Sequence, residues 1–451
     1  MEEDPRHLPV KSIFLKRSTI QKQLDLVKNA VEDAEDLISY EQAHNPEILY
    51  ALDIIESFLR RRKRICYGGT AINAILPKKL RFYDEDKDLP DYDFFTPDPE
   101  SDIEEVVLEL KKAGFSEVVQ RIGMHAGTFK ILVNFTPIAD ISKLDPELYK
   151  IVYTRSIVKE GIHYTDPDFL RMMMYLELSR PRGEVSRWEK VFERLSLLNA
   201  AFPPKVCKKS VEEIIGRVHI PTIIRKALLD YILDNNRIIV GAEVVALYDW
   251  MLHKKYKQKP SIQWFLHKNG LTVFLSPQAV RDGLLLKETL GNDAITVETL
   301  RGKEDIVPER VILSFKNMPL VMIVQETACH SYNVISLKEG RKLHIGTLET
   351  LITLYYSLHI FTDDNKYLQF SMLCLTQKLV EMGNAFYRLG EKSPLPIFSI
   401  ECSGYQKGYA TLLKEKFARI KKERKKKSST VKSNAVKSKT PRSKTRRLYN
   451  L

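Results

Sequence analysis

Cysteine is scarce in this chain and badly spaced for cross-linking: Cys66, Cys207, Cys329, Cys374 and Cys402 lie singly along 451 residues. No two stand at zinc-site or redox-motif spacing. An odd, dispersed set predicts free thiols in a reducing compartment and argues against a disulfide framework. Long apolar runs are missing as well. The best candidate, residues 348–361, is interrupted by Glu349 and His359 and is too short to span a bilayer, so no membrane partner is expected. The first residues, Met1-Glu2-Glu3-Asp4-Pro5, lack the basic and apolar regions of a signal peptide. A soluble, intracellular protein is the expectation.

Acidic residues are in short supply at one end only. Residues 421–451 hold thirteen basic residues and one acid, a local charge of +12 against +13 for the whole chain, which leaves the first 420 residues near neutral at +1. The block 421–427 is followed by Ser, Thr and Lys with few apolar residues, a composition that predicts disorder toward its end. Its natural partner is a polyphosphate backbone, met through counterion release without sequence preference. A localisation signal or a solubilising tail is the alternative.

The chain is organised around residues 65–95. A short apolar run, Ile65-Cys66-Tyr67, delivers Gly68, Gly69 and Thr70. The glycines let the backbone turn and approach a ligand, and the helix-forming residues 71–76 place a helix N-terminus at the same point, so this is a candidate phosphate cradle. Further on, Asp91 and Asp93 stand two apart. On a strand both carboxylates share one face, while Tyr92 and Phe94 point to the other. Such a pair repels itself and calls for a hard divalent cation, Mg²⁺ or Mn²⁺. A third acid, Asp140, lies in Ile138-Ala139-Asp140-Ile141, after a predicted strand over 129–135 and a break at Pro137. Burying it there is costly without a cation or hydrogen bonds.

These residues resemble the nucleotidyltransferase superfamily that includes polymerase β, whose pattern is Gly-Gly or Gly-Ser, then Asp-x-Asp, then a third Asp on a later strand. The interval from Gly69 to Asp91 is longer here than in the usual superfamily pattern. More closely, the chain resembles the poly(A) polymerase catalytic subunits of poxviruses and other large cytoplasmic DNA viruses. That likeness is carried by Tyr67-Gly68-Gly69-Thr70-Ala71-Ile72-Asn73, by Leu178-Ser179-Arg180-Pro181 with Arg187-Trp188-Glu189-Lys190-Val191, and by Glu326-Thr327-Ala328-Cys329-His330-Ser331-Tyr332-Asn333. It implies two Mg²⁺ or Mn²⁺ ions held by Asp91, Asp93 and Asp140, with ATP as substrate and an RNA 3′ end as acceptor. It also implies phosphate or RNA contacts from Gly68, Gly69, Thr70, Ser179, Arg180 and Lys190. Action in the host cytoplasm, packaging in the virion, and either a homodimer or a methyltransferase-like stimulatory subunit belong to the same expectation.

The remaining sequence supplies the frame. Residues 17–44 carry apolar positions at helical spacing and predict an amphipathic helix packed on the core. Asn45-Pro46 predicts the start of a second helix, with Ile48, Leu52, Ile55 and Leu59 on one face. It ends in the cationic run 60–64, which either complements the helix dipole or binds phosphates. A helix is expected near 102–113 and a helical stretch over 166–199, broken at Pro181. Phe202-Pro203-Pro204 reads as a joint, and strands and helices beyond it indicate a second α+β domain. No internal repeat is visible at the residue level.

The expected fold is α+β: a polymerase β-like mixed sheet with helices, a second α+β domain and a helical N-terminal segment. The divisions are 1–44, a catalytic unit over 45–200, a second unit over 205–420 that the resemblance makes an inert RNA clamp, and the basic tail 421–451. Template-independent adenylyl transfer to RNA is the expected function. The alternatives are a nucleotidyltransferase with another acceptor, such as an oligoadenylate-type synthase or a small-molecule or protein modifier, and an inactive RNA-binding scaffold.

Overall fold

The computed structural model describes residues 17–84, 86–204, 207–215, 220–253, 259–266, 270–291, 293–303, 305–361, 366–396 and 398–437. Two helices open the chain, α1 (Arg17–Ala43) and α2 (Pro46–Arg62). Asn45 caps α2 by accepting from the Glu47 and Ile48 N–H groups, and Pro46 sits in the first turn, where a missing N–H is harmless. Ile48, Leu52, Ile55 and Leu59 are buried, as their spacing predicts. Helix α1 departs from expectation. Its stripe of Ile20, Leu24, Val27, Val31 and Ile38 stays at least 42% exposed, so it does not pack on the core. Amphipathic spacing gives a helix an apolar face without supplying a surface to receive it.

The first sheet follows. Its elements are β1 (Ile65–Cys66), α3 (Gly68–Ile75), β2 (Tyr92–Thr96), α4 (Pro99–Lys112), β3 (Val118–Ile122), β4 (Thr128–Val133) and β5 (Thr136–Lys143). After them come α5 (Pro146–Arg155), β6 (Ile157–Lys159), β7 (Ile162–Tyr164), α6 (Pro167–Leu178) and α7 (Trp188–Ala201). The strands lie in the order β3-β4-β5-β2-β1-β7-β6, with β2–β5 and β1–β7 parallel and the other pairs antiparallel. Pro137 does not break the chain as expected. It lies inside β5, where the β4–β5 register shifts, and outside the stretch that pairs with β2, which begins at Ala139.

The cationic run after α2 is engaged by carboxylates. Arg60 pairs with Glu56 at 2.6 Å, Arg61 with Glu105 and Glu109 at 2.9 and 2.5 Å, and Arg62 with Glu105. Arg64 grips the buried Asp102 with two hydrogen bonds of 2.7 and 2.8 Å. The pairs of Arg61, Arg62 and Arg64 clamp the end of α2 to α4, while Arg60–Glu56 lies within α2.

The second half contains α8 (Val211–Ile215), α9 (Thr222–Asp234), β8 (Ile238–Ile239), α10 (Ala242–His253), α11 (Ile262–Leu266), β9 (Thr272–Ser276) and α12 (Ala279–Leu290). Next come β10 (Ile295–Leu300), β11 (Arg310–Phe315), β12 (Met318–Gln325), β13 (His330–Ser336), β14 (Lys342–Gly346), α13 (Leu348–Phe361) and α14 (Lys366–Leu389). Finally there are β15 (Cys402–Ser403) and α15 (Tyr409–Lys437). The sheet order is β10-β11-β12-β9-β8-β14-β13-β15. Apart from the added β15, this repeats the first sheet strand for strand, including which pairs are parallel.

One apolar core runs through both halves. Helix α6 packs on α13, with Phe169 edge-on to Phe361 at 6.3 Å. Phe192 of α7 meets Tyr387 and Phe398 at 5.2 and 5.7 Å.

One sequence expectation fails in the second half. Four of the five cysteines pair, Cys207 with Cys374 and Cys329 with Cys402, each across 5.3 Å between Cα atoms; only Cys66 is free. The partners are 167 and 73 residues apart, so tertiary folding brings them together and linear spacing gave no sign of it. The step from scattered cysteines to a reducing compartment loses its support. The basic tail is helical at its start, and its far end, where disorder is expected, lies outside the described residues. Helix α15 runs through residues 421–427 as far as Lys437, because Lys, Arg and Glu are good helix formers; residues 1–16 and 438–451 lie outside the described residues. Among the described residues no helix is long and apolar enough to cross a membrane.

Candidate active site

Strand β1 ends at Cys66, and the chain turns at once into α3 through Gly68, whose φ of +73° suits glycine and little else. The helix therefore begins at Gly68, three residues earlier than the sequence predicts. Strand β2 lies antiparallel beside β1, and the Tyr67 N–H donates to the Asp93 carbonyl at 2.9 Å. Asp93 is consequently pressed against the glycine turn. A methyl group on Gly68 would stand 2.5 Å from Asp93 Oδ2.

Within β2, Tyr92 and Phe94 are buried at 4% and 0% exposure and Asp93 between them is half-buried, while Asp91, just before the strand, is exposed. The parallel pairing of β2 with β5 then sets Asp93 directly beside Asp140. Asp91 is near enough for its charge to act on Asp93. Burial, with the charges of Asp91 and Asp140, pushes the Asp93 carboxyl up to about 7, while Lys130 and Arg187 pull it the other way. Asp91 is raised too, by burial and then by Asp140.

Lys130, which sequence reasoning missed, faces Asp140 across the β4–β5 ladder and makes a short ion pair with its Oδ2. Burial alone would lower the Lys130 pKa; the Asp140 hydrogen bond and the three acids raise it. The other oxygen, Asp140 Oδ1, is buried without a partner among the described residues. No set of three or more His, Cys, Asp or Glu side chains among the described residues is drawn together closely enough to hold a metal as it stands. The donor set nonetheless fits a hard divalent cation: three carboxylates, one carrying an unsatisfied buried oxygen and one with its proton affinity raised by burial and by the other two. Mg²⁺ or Mn²⁺ would be held by Asp91, Asp93 and Asp140, with Asp140 released from Lys130.

The cradle side has its own furniture. Thr70 donates its hydroxyl to the Asp91 carbonyl at 2.7 Å, so it fixes the acidic loop and does not offer that proton to a phosphate. Over Gly69 sit Tyr83 and Arg194; a methyl group on Gly69 would collide with the Tyr83 hydroxyl and lie 2.7 Å from Arg194 Nη1. Arg194 Nη2 donates to Tyr83 Oη at 3.2 Å, and the guanidinium lies 4.5 Å from the Phe82 ring centre. The Asn73 side chain holds this loop by accepting from the Phe82 and Tyr83 N–H groups at 3.0 and 3.2 Å. The long interval between Gly69 and Asp91 therefore lays two aromatic rings against the cradle.

Arg194 belongs to the basic stripe of α7. Arg187, Lys190 and Arg194 stand three, four and seven apart on one face, and the charge of Arg194, then burial and Arg187, lowers the Lys190 pKa. Cations that repel one another beside a glycine cradle favour a polyanion. Lys190 thus shares a face with Arg194, which lies over Gly69. Ser179 is fully buried, donates to the Leu176 carbonyl at 2.9 Å, and accepts from the Ser331 N–H through its own carbonyl, joining the two halves. Arg180 has two buried nitrogens without partners among the described residues and lies near His330, whose pKa is pushed down to about 3 by burial and by Arg180. The expected nucleotide contact of Ser179 does not fit its burial: that residue joins the seam between the halves.

Residues 53–184 match the family described as "Poly(A) polymerase catalytic subunit". An Acanthamoeba polyphaga mimivirus protein provisionally named as a poly(A) polymerase catalytic subunit is 28% identical over 236 residues, covering 51% of this chain and 39% of the relative. A provisionally so named protein of African swine fever virus (strain Badajoz 1971 Vero-adapted) is 29% identical over 179 residues, covering 38% and 37%. The alignments thus span about two-fifths of the length of these curated relatives. The crystal structure of the Megavirus polyadenylate synthase superposes with a TM-score of 0.72 at 20% identity, covering 94% of this chain and 86% of that one; the fold is shared across both halves. The segment that carries Gly68, Asp91, Asp93 and Asp140 thus lies wholly within the stretch that matches the poly(A) polymerase catalytic subunit family, residues 53–184.

Proposed function

We propose that the chain is a template-independent adenylyltransferase that adds AMP from ATP to RNA 3′ ends. The observation that carries this reading is the register of β2 against β5, which sets Asp93 beside Asp140 next to a glycine turn opening a helix. Bound divalent ions would supply Lewis-acid chemistry, lowering the pKa of the attacking hydroxyl and neutralising charge on the triphosphate. Asp91, Asp93 and Asp140 would hold them. The first N–H groups of α3 face the phosphates, and Arg194, braced by Phe82 and Tyr83, meets the charge that leaves with pyrophosphate.

The second sheet takes no part in the chemistry in this reading. Phe274 faces Ile239 as Phe94 faces Cys66, so Val273 and Leu271 stand where the first sheet has Asp93 and Asp91. Met322, opposite Val273, stands where the first has Asp140. This half serves as a wall and an RNA clamp. The reading brings with it a cytoplasmic site of action and either self-association or a stimulatory subunit, which sedimentation of the purified chain separates.

The test is extension of a 5′-labelled RNA with each NTP singly, in Mg²⁺ or Mn²⁺, by wild type and by the double variant Asp91→Ala/Asp93→Ala. A ladder with ATP alone, absent in the variant, is the expected result. Extension by the variant sinks the metal assignment, and RNA binding with no extension by wild type sinks the reaction.

A further inference from the structure

Helix α15 begins beside the second sheet, where Lys407 pairs with Glu415 at 2.9 Å, and crosses to the first. There Arg419 Nη2 donates to the carbonyls of Met124 and Gly123 at 2.7 and 3.4 Å, in the loop joining β3 to β4. This docks the helix close to the site. Gly127 ends that loop, and Lys130, the partner of Asp140, is three strand residues further on, about 10 Å away.

The two faces of α15 differ. Leu412, Leu413, Lys416, Arg419 and Ile420 are half-buried and form the seated face. The opposite face presents Lys414, Phe417 and Lys421, three, four and seven apart, with Phe417 61% exposed. Tyr409 stands 70% exposed at the start of the helix, roughly 12 Å from Phe417 along the axis. Lysines interleaved with exposed aromatic rings suit single-stranded nucleic acid: ammonium groups follow the phosphates and rings stack on bases of any sequence. A membrane-binding helix would bury a continuous apolar face, and the apolar face of α15 is already seated on the protein.

We propose that the outer face of α15, through Lys414, Phe417 and Lys421, is a track for the single-stranded RNA that precedes the acceptor nucleotide. It rests on the reading of RNA as acceptor and deepens it. The seated helix holds the upstream strand close to the acids, so the growing end is kept near the site between additions.

The triple variant Lys414→Ala/Phe417→Ala/Lys421→Ala tests this, with Lys421→Glu alone as a second variant at an exposed position. Affinity for a fluorescent, unstructured 20-nucleotide RNA is measured by anisotropy across a salt series, beside AMP transfer to a dinucleotide primer. The triple variant is expected to bind the 20-mer about tenfold more weakly, to flatten the slope of log K against log salt by about 1 to 1.5, and to label the dinucleotide as wild type does. Lys421→Glu should shift affinity in the same direction. Unchanged 20-mer affinity in both variants overturns the proposal and leaves the adenylyltransferase reading standing, as does equal competition by duplex RNA, which has no bases to offer. If wild type binds the 20-mer through this face yet transfers no AMP to any primer, the reaction fails and the track survives.

Discussion

Gly68 offers the most incisive perturbation, because a control exists elsewhere in the same sheet. Gly68 and Gly161 both hold left-handed backbone, with φ of +73° and +78°. Substituting alanine at either costs about 1–2 kcal/mol for placing a Cβ in that region. Their surroundings differ. At Gly161 the new methyl meets only the flexible Arg60 side chain at 3.5 Å, an ordinary contact; at Gly68 it stands 2.5 Å from Asp93 Oδ2, nearly an ångström too close. The Asp93 carboxylate must swing away, and displacement of a reacting group by about 1 Å is worth on the order of a hundredfold in rate. Chemical denaturation should therefore show two similarly destabilised variants. Single-turnover AMP incorporation should show Gly161→Ala near wild type and Gly68→Ala slower by about 10² or more. Equal rates in the two variants would refute the claim that the glycine turn exists to seat Asp93.

Other outcomes follow from the same geometry. Lys130→Met removes the cation that holds down the Asp93 and Asp91 pKa values, so the acid limb of the pH–rate profile should move toward alkaline pH; an unmoved limb means that Lys130 is not sensed there. Arg194→Ala should raise the KM for ATP and slow transfer, since the guanidinium lies over Gly69, while leaving RNA affinity alone. Arg64→Ala strands the buried Asp102 and should destabilise the chain by about 3–5 kcal/mol, with KM for ATP unchanged. Glu349, raised to about 7 by burial, is protonated more readily in the folded state than its ordinary 4.5 allows. The stability tied to that proton is complete below about pH 4.5 and is lost as pH rises to about 7. Glu349→Gln should accordingly gain on wild type across that window, by on the order of 3 kcal/mol at most at pH 8, as read from urea midpoints.

The acids were legible because each sits in a pattern with a physical meaning. Asp91 and Asp93 alternate with Tyr92 and Phe94, so period two alone puts them on one face, and Asp140 stands out as a charge among Ile138, Ala139 and Ile141. Their partners were not legible. Lys130 meets Asp140 only after the β4–β5 register has shifted at Leu132, and Arg194 reaches Tyr83 across 111 residues. A weak signal was present in both cases: a single lysine between Phe129 and Ile131, and an arginine extending the stripe of Arg187 and Lys190. Ser179, which accepts from the Ser331 N–H across the seam, misled for the opposite reason. Residues that join two halves of a core are as constrained as residues that bind a substrate, and a resemblance in sequence does not distinguish the two constraints.

The duplicated sheet explains why no repeat was visible and why one copy is suited to the chemistry. What the two halves share is pairing: an antiparallel neighbour at β1 and β8, a parallel crossover at β5 and β12, and a meander beyond. Such pairing needs only β-forming apolar residues and leaves no residue-level signature. Where the halves differ, chemistry decides. Gly241 occupies the place of Gly68, and two residues on Glu243 replaces Thr70. The Glu243 carboxylate folds back over Gly241 and accepts from the backbone N–H groups of Glu243 itself and Val273. A carboxyl built into the chain thus fills the second cradle, and Leu271, Val273 and Met322 stand there in place of three acids. Thr70 does the reverse: its hydroxyl turns to the Asp91 carbonyl and ties the acidic loop down.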